Sequence, residues 1–332
     1  MKREKTGDTS HKTCEKSSLT YSTIPDVRLR PGMAANAAAR LILRHLLEIM
    51  RANEEGIKID ADIEHLHEYR IAVRRTRSAL GQIRDVFPLE ETEYFKGEFQ
   101  KLGRLTNDLR NLDVFLTTEA NYRAKLPDNM REDITPLFDY LRCRRSRALV
   151  VVVAGLDSRA YGRSLDDWDR FLHRPMGAIH PRNAQKPIIQ LARRRINRQY
   201  QAILADGAHA LESLEDEILH TLRIECKKLR YLLEFFAELF PPKETASLLK
   251  QLKRLQDNLG TVSDLGNQRD YLLSIADVLD VDGLQARRTL VTTGVLIEMI
   301  GREQQSIRSD FAETFINFSS PTHQKQFRKM MK

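Results

Sequence analysis

A histidine followed by closely spaced basic residues occurs twice in the chain. The first copy reads HEYRIAVRRTR at 67–77 and the second reads HTLRIECKKLR at 220–230. Guanidinium groups bind phosphate oxygens through paired hydrogen bonds, lysines add compact positive charges, and an imidazole can donate a hydrogen bond. Residues of these types at this spacing predict binding of an anion rich in phosphate. The predicted ligand-binding residues are His67, Arg70, Arg74, Arg75 and Arg77 in the first copy, and His220, Arg223, Lys227, Lys228 and Arg230 in the second.

Helical periodicity gathers most of these side chains into one stripe. At about 100° per residue, His67 and three of the four arginines that follow it fall within a sector of about 80°, and Arg75 lies apart from them. The second copy repeats this arrangement. The sector contains no acidic residue, although like charges three or four positions apart repel by roughly 0.3 kcal/mol per pair. Apolar side chains fall on the adjoining side, so each stripe is predicted to line a groove between helices.

Other segments add basic residues that are expected to face the same groove. They are Arg40, Arg44 and Arg51, then Arg104, then Arg193 and Arg194, and finally Lys253 and Arg254. An imidazole surrounded by arginines should have a lowered pKa, because a further positive charge is disfavoured beside them. His67 and His220 are therefore expected to be neutral at pH 7 and to become additional donors when a polyanion binds.

The chain repeats itself over most of its length. The basic positions of the two copies match at one constant offset, and Phe87-Pro88 matches Phe240-Pro241 at the same offset. Periodicity is helical in almost every segment after Pro31, and each repeat has room for about four helices. The predicted fold is therefore all-α. It consists of two antiparallel four-helix bundles that are related by internal duplication about a pseudo-twofold axis, with a basic cleft or channel between them.

Composition shifts and helix-breaking residues divide the chain into five predicted parts. Residues 1–30 are polar and aperiodic and are expected to form a disordered tail. Residues 31–172 and 188–318 are the two predicted four-helix halves, and the Pro-rich residues 173–187 are the predicted linker between them. Residues 319–332 are expected to be a frayed basic tail.

The overall charge favours anionic partners. The 332 residues include 54 Lys+Arg against 46 Asp+Glu, which gives a formal net charge of +8. Such a balance is typical of proteins that bind nucleic acid, phosphate polymers or an anionic membrane. Three widely spaced cysteines fit a reducing cytoplasm better than a disulfide framework. No apolar run approaches the ~18 residues of a membrane span, so we expect a cytoplasmic protein that does not associate with membranes.

The two motifs resemble those of the CHAD family, the conserved-histidine α-helical domains of bacteria and archaea. The most specific segments are HEYRIAVRRTRSAL and LHTLRIECKKLRYLLEFF, and the supporting segments are LGRLTNDLRNLDVFL and LKRLQDNLGTVSDL. The resemblance covers roughly residues 31–318. It implies two four-helix bundles with a basic channel or cleft, binding of inorganic polyphosphate, and targeting to polyphosphate granules and their proteins. It also implies that the stripe residues are the polyphosphate ligands.

Several positions depart from the family pattern. Asn111 stands where the family often has an aspartate. Lys227 and Lys228 stand in the second copy where the first has arginines, and Glu225 replaces a small apolar residue. None of these changes removes the positive stripe, but they lead us to expect unequal contributions from the two halves.

Other functions are less well supported by the sequence. No Walker P-loop, Gly-x-Ser-x-Gly elbow or His-Glu-x-x-His motif is present, so we expect no enzymatic activity, no cofactor and no metal site. A phosphoryl-relay role for His67 is conceivable on a helical bundle. Sequence-independent nucleic-acid binding is the main alternative, although aromatic residues are only 7% of the chain and none interleaves with the stripe. A structural or adaptor role is the remaining alternative.

Overall fold

The described part of the chain is helical. The computed structural model describes residues 28–175, 177, 181–277 and 282–332, and within these residues it contains α-helices, two short 3-10 turns and no β-strand. This confirms the all-α prediction. No helix in the described residues is both long and apolar enough to cross a membrane. Residues 1–27 of the predicted disordered tail lie outside the described residues.

Seven helices precede the predicted linker and six follow it, so the described residues have more helices than the four predicted for each half. The first seven are α1 (Ala35–Lys58), α2 (Ile63–Gln82), α3 (Leu89–Leu105), α4 (Asn107–Thr117), α5 (Glu119–Lys125), α6 (Thr135–Leu156) and α7 (Arg159–His173). The others are α8 (Ile188–Glu212), α9 (Asp216–Phe235), α10 (Pro242–Ala276), α11 (Leu284–Ser309), α12 (Phe311–Phe318) and α13 (Pro321–Met330).

The two motif copies lie on α2 and α9, which are each twenty residues long. α2 begins after Asp62, whose side chain accepts a hydrogen bond of 2.9 Å from the backbone N–H of Glu64 and so caps the first turn. Leu66, Val73 and Leu80 are buried at helical spacing and attach α2 to the core. The apolar face thus fixes the direction in which the basic stripe points.

A break between α3 and α4 shapes the surface beside α2. Thr106 stands at this break and donates its hydroxyl to the carbonyl of Leu102 at 3.0 Å. α10, by contrast, runs without interruption for 35 residues. No proline marks the break at Thr106, so the sequence pattern does not locate the boundary between α3 and α4.

α2 and α9 also contact each other. The Nη2 of Arg75 donates to the carboxylate of Glu234 at 2.6 Å, and the Arg75 guanidinium lies over the ring of Tyr231. Both side chains of this ion pair are largely buried, with 5% and 12% of their surfaces exposed. The amide of Gln82 donates to the backbone carbonyl of Lys228. The residues before the linker and those after it are therefore joined through the two motif helices.

The segments predicted as linker and C-terminal tail are packed where they are described. The backbone N–H of Ala35 donates to the carbonyl of Lys186 at 2.9 Å, and the amide of Asn183 donates to the carbonyl of Arg84. Residues 321–330 form α13 rather than a frayed tail, because Phe327 is buried and stacks on Tyr200 with ring centroids 3.8 Å apart. The aromatic contact outweighs the basic composition that suggested fraying.

Candidate functional site

A basic pocket of about 430 Å³ lies between α2 and the α3–α4 break. Four arginines line it, together with small and neutral polar residues, and no acidic side chain does. The lining residues are Arg70, Val73, Arg74, Arg77, Gln100, Gly103, Arg104 and Asn107. A concave surface whose only charges are positive attracts anions, and guanidiniums suit the oxygens of phosphate. We call this surface the arginine pocket.

Arg70 is held in a fixed orientation at the base of the arginine pocket. Its guanidinium donates to the carbonyl of Gly103 at 3.0 Å, to the hydroxyl of Thr106 at 2.7 Å and to the amide oxygen of Asn107 at 3.0 Å. All three acceptors are neutral, so the positive charge remains uncompensated. Burial, assisted by repulsion from Arg74 and a further arginine, lowers the pKa of Arg70 to about 10.

Three other arginines of the pocket are exposed and available. Arg74, Arg77 and Arg104 have no hydrogen-bond or ion-pair partner among the described residues. Surface arginines of proteins built for stability alone are commonly paired with carboxylates. These three guanidiniums are instead directed at an open pocket, where an incoming anion would be their partner.

Lys227 of the second motif copy is half-buried and does not line the arginine pocket. Burial, together with the positive charges of Arg223, Arg74 and Arg230, lowers the pKa of Lys227 to about 8, and Asp264 acts in the opposite direction. α2 and α9 contact each other through Arg75 and Glu234, so the two motif helices are neighbours. At pH 7 the Lys227 ammonium is mostly charged in the free protein and has no hydrogen bond to the described residues, an arrangement that a bound anion would stabilise.

The second motif copy is more fully neutralised than the first. Arg223 donates to Asp264 at 2.8 Å, and Arg230 lies 3.4 Å from the carboxylate of Glu234. Lys228 is paired with Glu225. Most of the uncompensated charge therefore belongs to α2 and α3, and Lys227 is the main contribution from α9.

His67 is half-buried beside this charge. Burial lowers its pKa, and the nearby Arg110, Arg74 and Arg70 lower it as well, while Glu64 opposes them. The direction agrees with the expectation of a neutral imidazole at pH 7. His220, the equivalent position of the motif, is exposed.

Among the described residues, one group of side chains could hold a metal ion. Glu64, His67 and Glu68 bring their ligand atoms within 4.8 Å of one another. The arginines that depress the pKa of His67 also repel a cation at this position. The carboxylates of Glu64 and Glu68 would attract a cation, so this group combines acidic ligands with nearby arginines.

The structure places several predicted residues away from the arginine pocket. Arg40 and Arg44 donate to the carbonyls of Phe171 and Leu172 at the end of α7, each at 2.6 Å. Their positive charges satisfy carbonyls that the helix end leaves free. The others are Arg51, which is paired with Asp169, Arg75, which is paired with Glu234, and Arg193, which donates to the carbonyl of Lys332. Arg194, Lys253 and Arg254 are exposed and do not line it. The pocket lining also lacks His67, His220, Arg223, Lys227, Lys228 and Arg230.

Sequence reasoning missed three residues. Gln100 and Asn107 line the pocket, and Arg110 acts electrostatically on both His67 and Arg70. Arg110 is half-buried and its Nη1 has no partner. A signal for it was present, because Arg110 lies in the LGRLTNDLRNLDVFL segment that carries the family resemblance.

Comparison with known protein families assigns the chain to one family. The model of the CHAD domain matches residues 41–273, which include both motif helices and the arginine pocket. The chain belongs to the CHAD domain family. This is a structural domain family, often non-catalytic, whose members are linked to polyphosphate.

Solved structures show the same fold. The CHAD domain from the plant Ricinus communis superposes with a TM-score of 0.71 at 22% identity, covering 87% of this chain and 95% of that one. PptA from Streptomyces chartreusis superposes with a TM-score of 0.63 at 15% identity, covering 85% and 99%. Among curated proteins, Uncharacterized protein MT2285 of Mycobacterium tuberculosis is 26% identical over 180 residues, or 54% of this chain. The match spans 35% of that longer protein.

Proposed function

We propose that this CHAD protein binds inorganic polyphosphate without chemical conversion, and that the arginine pocket and Lys227 form the binding surface. The observation that carries the proposal is the accumulation of unpaired positive charge at one place. Arg74, Arg77 and Arg104 have no partner among the described residues, and the Lys227 ammonium lies near Arg74. Repeated phosphates of one chain can neutralise several such groups at once.

The neutral acceptors around Arg70 support a binding role rather than a catalytic one. Arg70 is oriented by a carbonyl, a hydroxyl and an amide, which leave its charge free to attract phosphate. His67 lies beside this charge with a lowered pKa and is suited to donate a hydrogen bond. A fixed guanidinium and neutral imidazole preorganise the surface, which lowers the cost of binding.

Calorimetry with polyphosphate of defined length tests the proposal. The variant Arg74→Glu, Lys227→Glu reverses one charge from each motif helix. Since each charge-assisted hydrogen bond contributes about 1.5–3 kcal/mol, the affinity should fall by at least about a hundredfold. Helix content measured by circular dichroism should persist.

A matched control separates the site from net charge. Arg287 and Arg288 are exposed near the start of α11 and have no partner among the described residues. Reversing both to Glu changes the net charge by the same amount and should leave the affinity within about threefold. Equal losses in the two variants would show that only overall charge matters, and unchanged affinity in the first variant would favour a structural or adaptor role.

Competition distinguishes polyphosphate from nucleic acid. Salt-sensitive, sequence-independent DNA binding would use the same positive charges. We expect long-chain polyphosphate to displace a labelled DNA from the protein at equal phosphate concentration. Preferential retention of DNA would contradict the proposal.

The cellular role that follows is targeting to polyphosphate granules in the cytoplasm. A fluorescent fusion of the protein should coincide with polyphosphate staining in cells. The Arg74→Glu, Lys227→Glu variant should be dispersed, whereas the Arg287→Glu, Arg288→Glu control should remain on the granules. If the Arg74→Glu, Lys227→Glu variant no longer binds polyphosphate but still localises to granules, recruitment by granule proteins would be indicated instead.

A further inference from the structure

The outward face of α11 carries two large aliphatic side chains that remain largely exposed. Leu284 is 70% exposed and Val291 is 60% exposed. They lie seven residues apart, so both point in nearly the same direction from the helix. The opposite face of α11 is buried through Thr289, Thr293 and Leu296, which attach the helix to the rest of the molecule. An exposed apolar row on a helix whose other face is already packed is typical of a contact surface for another protein.

The residues that accompany these aliphatics complete a heptad pattern. Along the exposed face the spacing alternates between three and four residues, as at the contact positions of a coiled coil. The positions are Leu284, Arg287, Val291, Gly294, Glu298 and Gly301. The first five are exposed, and Gly301 is half-buried beside Arg269. We call these six residues the α11 seam.

The α11 seam is complementary to itself when two copies of the helix run antiparallel. In the register that places Val291 of one copy opposite Gly294 of the other, Leu284 lies opposite Gly301. The same register places Arg287 opposite Glu298. Because a twofold axis relates the two copies, each of these contacts occurs twice. Large side chains thus meet glycines, and positive charges meet negative ones.

Gly294 leaves room for a close approach of the second helix. A Cβ atom at this position would meet no atom within 4 Å, so the packing of the described residues does not require a glycine there. Glycine in the interior of a helix costs roughly 1 kcal/mol of stability relative to alanine. A helix of another copy that packs closely against this position accounts for the glycine.

The charged members of the α11 seam are available for pairing with another copy. The Arg287 side chain has no hydrogen-bond or ion-pair partner among the described residues. Glu298 is 65% exposed and accepts a hydrogen bond of 2.8 Å from Arg302, one turn further along the same helix. Since an exposed pair of this kind contributes little to stability, Glu298 can pair with an arginine of the second copy instead.

We infer that this protein forms an antiparallel homodimer through the α11 seam. The seam fits a second copy of the chain because it supplies both the large side chains and the glycines that receive them, and both signs of charge. One helix pair buries less surface than a standard protein interface, so we expect a reversible dimer with a Kd on the order of 10 µM. The arginine pocket is lined by other helices, so its affinity for phosphate should not depend on dimerisation.

Sedimentation equilibrium of the full chain over a range of protein concentrations tests the inference. The Gly294→Leu variant has room for the new side chain in the monomer and should keep its helix content, because leucine is the better helix former. In the dimer the added side chain would collide with Val291 of the other copy, so the Kd should rise at least about thirtyfold. Non-specific association through exposed aliphatics would instead be strengthened by the extra leucine, and that result would overturn the inference.

Exchange of the two charges tests the register. Arg287→Glu and Glu298→Arg should each raise the Kd about tenfold, because each creates two like-charge contacts across the twofold axis. The double variant Arg287→Glu, Glu298→Arg restores opposite charges at both contacts and should bring the Kd back to within about threefold of the wild type. A wild-type protein that is monomeric at every concentration would overturn the inference. So would a double variant that dimerises as weakly as the single ones.

Discussion

At the residue scale, the function depends on which basic side chains keep their charge uncompensated. Arg74 and Arg223 belong to the same motif, yet Arg74 is unpaired among the described residues and Arg223 donates to Asp264. The sequence predicts both as ligands because both lie in the stripe. Whether an acid from another helix reaches them is decided by tertiary contacts, which the motif does not contain.

Replacing Asp264 by Asn should strengthen binding of polyphosphate. The amide keeps an acceptor for Arg223 but removes a negative charge that lies near Lys227. We expect the affinity to rise about threefold, since an exposed ion pair contributes on the order of 0.5 kcal/mol. Calorimetry measures the change, and Glu132→Gln, an exposed acid outside the site, is the control. A similar increase in both variants would show a net-charge effect only.

The pH dependence of binding should be set on its alkaline side by Lys227. Its pKa in the free protein is about 8, and a bound polyanion raises that pKa. Well below pH 8 the ammonium is charged in both states, so the Lys227 contribution to affinity does not change with pH. Above pH 8 binding must take up a proton, so affinity should fall as the pH rises. The Lys227→Arg variant keeps its positive charge over this range, so its affinity should not fall up to pH 9. Calorimetry of both proteins at several pH values measures the difference.

At the element scale, the basic residues of α2 face two different surroundings. His67, Arg70, Arg74 and Arg77 lie in the stripe, whereas Arg75 turns toward α9 and pairs with Glu234. The helical projection predicted the separate direction of Arg75 but not its partner. The contacts of the α1 arginines could not be predicted either, because their spacing is compatible with an anion-binding groove and with the end of α7. Helical periodicity predicts which side chains share a face but not what that face contacts.

Loss of Arg75 should damage stability and spare binding. Arg75→Ala leaves the largely buried carboxylate of Glu234 with only the more distant Arg230, which should cost about 3 kcal/mol of unfolding free energy. Polyphosphate affinity of the folded protein should be unchanged, because Arg75 does not line the pocket. Denaturant unfolding measures the first quantity. The double variant Arg75→Met, Glu234→Met should recover most of the stability, and failure to do so would mean that the ion pair has another role.

At the scale of the whole molecule, the sequence predicted an all-α chain and a basic surface. The structure adds which helices form that surface. Helical periodicity and buried leucines were sufficient for the fold class. The contact of α2 with α9 joins distant parts of the chain, so the proximity of Arg74 to Lys227 could not be read from either motif. The α3–α4 break, which supplies the acceptors of Arg70, follows from packing at Thr106 and not from a strong breaker.

The account requires one phosphate chain to contact both motif helices. An NMR titration of the Lys227 side chain, assigned with Lys227→Arg, tests this directly, because the arginine pocket is formed by α2 to α4 and Lys227 belongs to α9. We predict a pKa of about 8 in the free protein and a rise of at least about one unit with saturating long-chain polyphosphate. An unchanged Lys227 pKa while polyphosphate is bound would contradict the account.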